Sequence, residues 1–210
     1  MNIAKTTIFG AALACGIAST TSAAITANYG WEDGGTIMGE FQGPVSATNI
    51  SNETRTGTGA LRLTDATATG SGTARGYVAR ITGLQNGDTV NASFWAKDIS
   101  GNGIRIWGKY ISDASDINNY AGSAGGTNTY SDATWTELSK DWTFNAGTDR
   151  IGIVIEARIY SDPGDGAYID DISVTVSNDN AIIEFPAAVP EPASIALLGL
   201  GGLLVARRRK

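Results

Sequence analysis

Between residues 25 and 180 the chain is built from short segments in which apolar and polar residues alternate, separated by clusters of Gly, Ser, Thr, Asn and Asp. A period of two puts successive side chains on opposite faces of an extended backbone, so each segment predicts a strand with one buried face. The pattern predicts strands at Val45–Ile50, Ala60–Thr64, Gly76–Ile81, Thr89–Ala96, Ile104–Ile111, Thr136–Phe144, Arg150–Tyr160 and Ala167–Val176. No stretch of ten residues or more in this region carries the 3.6-residue period of an amphipathic helix. Eight or nine such strands predict an all-β fold, a two-sheet jelly-roll sandwich.

One connection predicts a hairpin. Tyr77–Ile81 and Val90–Ala96 flank Gly83-Leu84-Gln85-Asn86-Gly87-Asp88, where Asn-Gly supplies the positive φ of a tight turn. In the second strand Val90, Ala92, Phe94 and Ala96 share the face expected in the core, and Asn91, Ser93, Trp95 and Lys97 share the other. Ile104, Ile106 and Tyr110 alternate in the same way with Arg105, Trp107 and Lys109. Ile151, Ile153, Ile155, Ala157 and Ile159 alternate with Val154, Glu156, Arg158 and Tyr160. A polar face carrying tryptophan therefore recurs on two strands. Trp142 and Phe144 are expected in the core. The segment Ser112–Ser131, with Tyr120 and Tyr130, is the longest irregular stretch and a candidate binding rim.

The two ends break this pattern. Residues 1–24 combine an early positive charge (Lys5), an apolar run from Ile8 to Ile17, and Ser22-Ala23-Ala24 with small residues before a cut. That order predicts a signal peptide removed by signal peptidase after Ala24. A lipoprotein reading of Ala12-Leu13-Ala14-Cys15 competes with it, although Ala12 stands where a large aliphatic residue is usual. At the other end, Pro190-Glu191-Pro192 precedes the apolar run 195–206, which stops at Arg207-Arg208-Arg209-Lys210. As a helix this run is about 18 Å long, short of a bilayer core of about 30 Å, so flanking residues or local thinning must help it span. The four terminal cations are expected to stay cytoplasmic. This tripartite tail resembles the PEP-CTERM sorting signal of Gram-negative bacteria. The resemblance implies a transmembrane stage in the inner membrane, processing near the motif by an exosortase, and delivery to the cell surface or outside it. The expected organisation is a signal peptide at 1–24, a sandwich at 25–180, a linker at 181–188 and the sorting tail at 189–210.

Charge and composition narrow the chemistry. Five of the 15 basic residues are Lys5 and the four that end the chain, so apart from those the protein carries ten basic against 21 acidic residues. Such a surface repels phosphate backbones, which disfavours nucleic acid as a partner. There is no histidine, which removes the usual general base near neutral pH and the commonest zinc ligand. The one cysteine, Cys15, lies in the signal segment, so core packing or a metal must stabilise the body in place of disulfides.

Four pieces of the body form a recognisable series: Trp31-Glu32-Asp33-Gly34, Gly59-Ala60-Leu61-Arg62-Leu63, Leu84-Gln85-Asn86-Gly87-Asp88 with Phe94-Trp95-Ala96, and Tyr168-Ile169-Asp170-Asp171-Ile172-Ser173-Val174. In this order they resemble the galactose-binding-like jelly rolls that serve as carbohydrate-binding modules on bacterial glycoside hydrolases. The resemblance implies a structural calcium tying the first strand to the last, with Glu32, Asp170 and Asp171 in the places of its carboxylates. Asp170 has the parity of Ile172 and Val174 and is expected to point inward, where a carboxylate needs a cation or hydrogen bonds. The alternative to calcium is an aspartate bonded to turn amides.

Sugar rings present apolar C–H faces and equatorial hydroxyls, so flat aromatics beside hydrogen-bonding side chains suit them. Trp95 and Trp107, with Lys97, Arg105, Glu156, Arg158 and Tyr160, form the expected glycan platform. The alternative is that these tryptophans pack under a loop or in a second core layer. A glycosidase needs two carboxylates flanking one bond. Glu32, Glu40, Glu53, Glu137, Glu156 and Glu184 are available, but nothing in their spacing pairs them. The expected function is that of an exported, non-catalytic, carbohydrate-binding-like module of the envelope or extracellular matrix. A structural matrix protein without a ligand is the alternative, and a glycoside hydrolase the third reading.

Overall fold

A computed structural model describes residues 23–41, 44–68, 73–100, 103–160 and 162–187. Most of the export signal, the Pro190-Glu191-Pro192 motif and the expected 195–206 helix lie outside them. The described residues form twelve strands and no helix: β1 (Ile25–Tyr29), β2 (Gly39–Phe41), β3 (Val45–Ile50), β4 (Ala60–Asp65), β5 (Ala74–Thr82), β6 (Thr89–Asp98), β7 (Ile104–Ile111), β8 (Ser123–Gly126), β9 (Thr136–Thr143), β10 (Gly152–Ile159), β11 (Gly166–Val176) and β12 (Ile182–Glu184). All eight expected strands form, with bounds shifted by two residues or fewer. The strands β1, β2, β8 and β12 are additions. Three of these are only three or four residues long, too short to show a period.

Two six-stranded antiparallel sheets result. The first runs β3-β4-β11-β6-β9 with β1 also on β11, and the second runs β12-β5-β10-β7-β8 with β2 also on β5. Their inner faces enclose one core, in which Val90, Ala92, Phe94 and Ala96 of the first sheet meet Ile104, Ile106, Ile153, Ile155, Ala157 and Ile159 of the second. Trp142 and Phe144 join it, as their positions predict. Alternation thus places the buried faces correctly wherever the strand is regular.

Three expectations are corrected. The Tyr77–Ala96 segment is no hairpin: β5 lies in the second sheet and β6 in the first, so residues 83–88 cross between the layers. The turn itself forms, with Asp88 N–H donating to Gln85 O at 3.0 Å and Gly87 at φ 93°. Bonds between Gly87 N–H and Phe144 O, and between Phe144 N–H and Asp88 O, hold it to the end of β9. Six residues are enough to cross sheets about 10 Å apart, and buried Leu84 fills the corner. The 181–188 segment is not wholly a linker, because β12 within it pairs with Arg80–Thr82 of β5. Finally, Asp170 does not share the facing of Ile172. A bulge between Asp170 and Ser173, with Asp171 at φ 48°, shifts the parity of β11, so Ala167 and Ile169 face the core before it and Ile172 and Val174 after it. Asp170 stands on the outer face of the first sheet, paired with Trp95.

Candidate functional site

The outer face of the second sheet buries three charged side chains, Lys109, Glu156 and Arg158. Register sets them in cross-strand rows. Arg158 of β10 lies between Arg75 of β5 and Arg105 of β7, and Glu156 lies between Tyr77 and Trp107. Val154 lies between Arg80 and Lys109. A bulge in β5 opposite Ile155 and Glu156 keeps Tyr77 and Arg80 on this same face. The apolar members Tyr77, Ile111 and Val154 form a small cluster of their own, covered by Met38, Phe41 and Ile117. Segments far apart in sequence therefore wall this face on one side.

Within it the contacts are dense. Arg158 Nε donates to Glu156 Oε2 at 2.7 Å, and Lys109 Nζ donates to Tyr77 Oη at 2.7 Å. Glu156 has no exposed surface and Lys109 has 1%. The Arg105 guanidinium sits 4.2 Å from the centre of the Trp107 ring and 4.3 Å from that of Tyr160, and the Arg158 guanidinium sits 4.2 Å from Trp107. Trp107 Nε1 donates to Ser123 Oγ of β8 at 2.9 Å. Arg75 lies near Phe41, which stacks in parallel on Tyr120, and Tyr120 is 55% exposed. Glu156 Oε1, an acceptor, and Arg105 Nε, a donor, are buried here without a hydrogen-bond partner among the described residues. Each leaves about 1–3 kcal/mol of desolvation uncompensated unless something else bonds it.

Electrostatics follow from this crowding. Burial pulls the Lys109 ammonium down to about 8, against the opposing attraction of Glu156 and Asp116. Burial also pulls the Arg105 and Arg158 guanidiniums down, helped by the neighbouring Arg75 charge and opposed by Glu156. Burial raises the Tyr77 hydroxyl. Like charges directly opposite one another on adjacent strands are destabilising, and here three arginines form such a row.

Of the expected glycan platform, Arg105, Trp107, Glu156, Arg158 and Tyr160 come together on this face. Trp95 and Lys97 do not. They stand on β6, on the outer face of the other sheet, because alternation tells which side of its own strand a residue takes but not which sheet the strand joins. There Trp95 lies 3.6 Å beneath the Arg55 guanidinium, and Lys97 pairs with Glu53 at 2.7 Å. Four further members, Phe41, Arg75, Tyr77 and Lys109, were not singled out from sequence. The alternation already put Lys109 on the polar side of β7, whereas nothing in the chain announced that Phe41 would fold over it.

Glu32, Asp170 and Asp171, the expected calcium ligands, each bond to the segment Arg55–Gly59 or its neighbours. Glu32 accepts from Thr58 N–H at 2.9 Å, Thr58 Oγ1 at 2.7 Å and Gly59 N–H at 3.2 Å, which hold its carboxyl below the usual range. Asp170 Oδ2 accepts from the Arg55 and Thr56 amides at 2.8 and 3.2 Å, and its Oδ1 from the Asp171 amide at 2.8 Å. Burial nevertheless raises the Asp170 carboxyl. Asp171 pairs with Arg55 Nη1 at 2.6 Å and accepts from Thr56 Oγ1 at 2.7 Å. Gly30 faces this cluster: a Cβ there would stand 3.6 Å from Asp171 Oδ1 and 3.8 Å from Asp170 Oδ1. Two hard carboxylate oxygens, one from each aspartate, face this position, and oxygen ligands are what calcium takes; Glu32 approaches it with Cγ at 3.9 Å and turns its oxygens to Thr58 and Gly59. Among the described residues no three His, Cys, Asp or Glu side chains are placed to hold a metal by themselves, so backbone carbonyls or water would have to complete its shell.

The PEP-CTERM protein-sorting motif matches residues 188–210, which marks an exported protein of Gram-negative type. No match is found among curated proteins. Among solved structures, the CBM22-1 xylan-binding domain from Paenibacillus barcinonensis is 14% identical, with 75% of this chain and 97% of that one covered at a TM-score of 0.49. The CBM22-2 xylan-binding domain from the same organism is 21% identical, with 71% and 98% covered at 0.47. The C-terminal family 22 carbohydrate binding module of Clostridium thermocellum is 18% identical, with 70% and 86% covered at 0.40. The model of the carbohydrate binding domain family matches residues 23–164, more than half of the chain, and the chain belongs to that family.

Proposed function

We propose that the protein is a non-catalytic polysaccharide-binding module, processed at its tail by an exosortase-type enzyme and placed on the cell surface or in the extracellular matrix. The ligand lies across the outer face of the second sheet. The observation that carries this reading is the pair of orphaned buried atoms there, Glu156 Oε1 and Arg105 Nε, beside partly exposed Trp107 and Tyr160. A sugar hydroxyl can donate to the first and accept from the second, and the aromatic edges suit the C–H faces of the ring. Both atoms lie under neighbouring side chains, so the Arg105 and Arg158 guanidiniums must shift off Trp107 when a sugar enters.

Affinity electrophoresis against a panel of polysaccharides tests the reading. Retardation by at least one polymer, without release of reducing ends, is expected; turnover revives the glycosidase reading. One observation favours the competing account, a matrix component without a ligand: both contacts at 4.2 Å already cover Trp107 with cations. Migration unchanged by every polymer supports that account. The calcium belongs to the same set of proposals. Asp170, Asp171 and Glu32 would hold it beside Gly30, where it would neutralise carboxylates that Arg55 alone offsets in part.

A further inference from the structure

Between the last core strand and the sorting motif, the chain is fastened to the body from Asn178 to Ala187. Buried Asn178 donates through Nδ2 to Gly83 O at 3.2 Å and to Asp88 Oδ2 at 2.8 Å, which fixes the turn after β11 on the crossover 83–88. Beyond that turn β12 pairs with Arg80–Thr82 of the second sheet, and the Glu184 carboxylate accepts from Arg80 Nε and Nη2 at 2.7 and 3.0 Å. The Phe185 ring then stacks on Tyr29 of the first sheet, with centroids 5.4 Å apart and planes 10° from parallel. Pro186 is buried, and Ala187 O lies 3.1 Å from where a Cβ on Gly35 would stand. Residues 182–187 therefore clasp the two sheets together at one edge. The sorting motif begins at 188, the residue after the clasp, and Pro190 follows Ala187 by three positions, at most about 11 Å of chain.

An enzyme that cuts a peptide takes the flanking residues in extended form, with their backbone groups free to bond to it. Here the residues just before the motif already bond to β5 and bury Pro186 against the body. We infer that the clasp gates the protein's own processing: residues 182–187 must leave β5 and Tyr29 before the membrane-bound enzyme can accept the chain at the motif. The inference rests on the reading of the tail as the substrate of an exosortase-type enzyme and names the step that sets the rate. The opening is local. β12 has three residues, Ile183 and Phe185 are only partly buried, and the Asn178 anchor stops the release before it reaches β11. After processing the same segment recloses and covers a stretch of β5 edge that would otherwise pair with a second chain.

The test is a pulse-chase of the full chain in cells that make the processing enzyme, with precursor and processed forms separated by gel. Phe185→Ala and Glu184→Gln weaken the clasp, and each is expected to speed conversion about three- to tenfold as the open population rises. A Gly-Ser spacer of about eight residues inserted after Ala187 is expected to give a similar gain with the clasp intact, and to make conversion indifferent to Phe185→Ala. Amide exchange at Ile182–Phe185 should quicken in Phe185→Ala while that of β11 stays slow, which separates a released clasp from an unfolded body. Conversion of the spacer variant at the wild-type rate overturns the inference while leaving the tail a processed signal. Slower conversion in both clasp variants also overturns it, because the enzyme would then be reading the docked segment. No conversion of the wild-type chain counts against the processing and the inference together.

Discussion

Glu156 of β10 stands directly opposite Trp107 of β7 on the second sheet, while the other tryptophan of the expected platform, Trp95, stands opposite Asp170 on the first. The two tryptophans read alike in sequence and do different things. Trp107 belongs to a face with orphaned polar atoms, and Trp95 anchors the Arg55 segment over the carboxylate cluster.

Glu156 is fully buried and its one bonded partner among the described residues is Arg158. Removing one member of a buried pair strands the other charge, at about 3–5 kcal/mol. Glu156→Leu is therefore expected to lower unfolding stability by about that amount. The double variant Glu156→Leu with Arg158→Met should recover most of the loss. Urea denaturation of the three proteins measures both, and additive losses would show that the pair is not coupled.

Lys109 predicts a pH dependence. It faces Tyr77 and Arg75 of β5, Glu156 of β10, Phe41 of β2 and Asp116 of the following loop. Burial holds its folded pKa near 8, below the unfolded value of 10.5, so between these values the unfolded chain binds more protons. Stability then rises with pH, beginning at about 8. The raised Tyr77 hydroxyl works in the opposite direction only above its ordinary value of 10. Denaturation midpoints measured from pH 7.5 to 10 are expected to show a Lys109 contribution that increases, and Lys109→Met should flatten it. An identical slope in the variant would contradict the placement.

The calcium proposal makes a thermal prediction. An ion bound only by the folded state stabilises by RT ln(1 + [L]/Kd), so at a hundredfold excess over Kd the melting midpoint should stand about 5–10 °C above that in chelator. Asp171→Asn should abolish the difference. Equal midpoints with and without chelator would leave the Arg55 and amide bonds as the whole of the pin.

How far these features were legible in the sequence depended on what the alternation encodes. It gave the inward side chains of β6, β7 and β10 correctly, because a regular strand has only two faces. It could not reveal the sheet a strand joins, which is why residues 83–88 read as a hairpin. The parity shift in β11 was hidden because Asp171 takes a left-handed conformation that aspartate tolerates. The bonds of Asp170 and Asp171 to the Arg55–Thr56 segment were not legible, because that segment carries no pattern of its own. Burial of Lys109 was not legible at all, since its neighbours Phe41 and Tyr77 come from separate segments.

The most direct measurement of the central claim is a comparison of Trp107→Ala with Trp95→Ala in binding to whichever polysaccharide the wild-type protein retains. Loss of at least tenfold in affinity for Trp107→Ala, with Trp95→Ala close to wild type, is the predicted result. Loss in Trp95→Ala with Trp107→Ala unaffected would move the site to the opposite sheet and contradict the account.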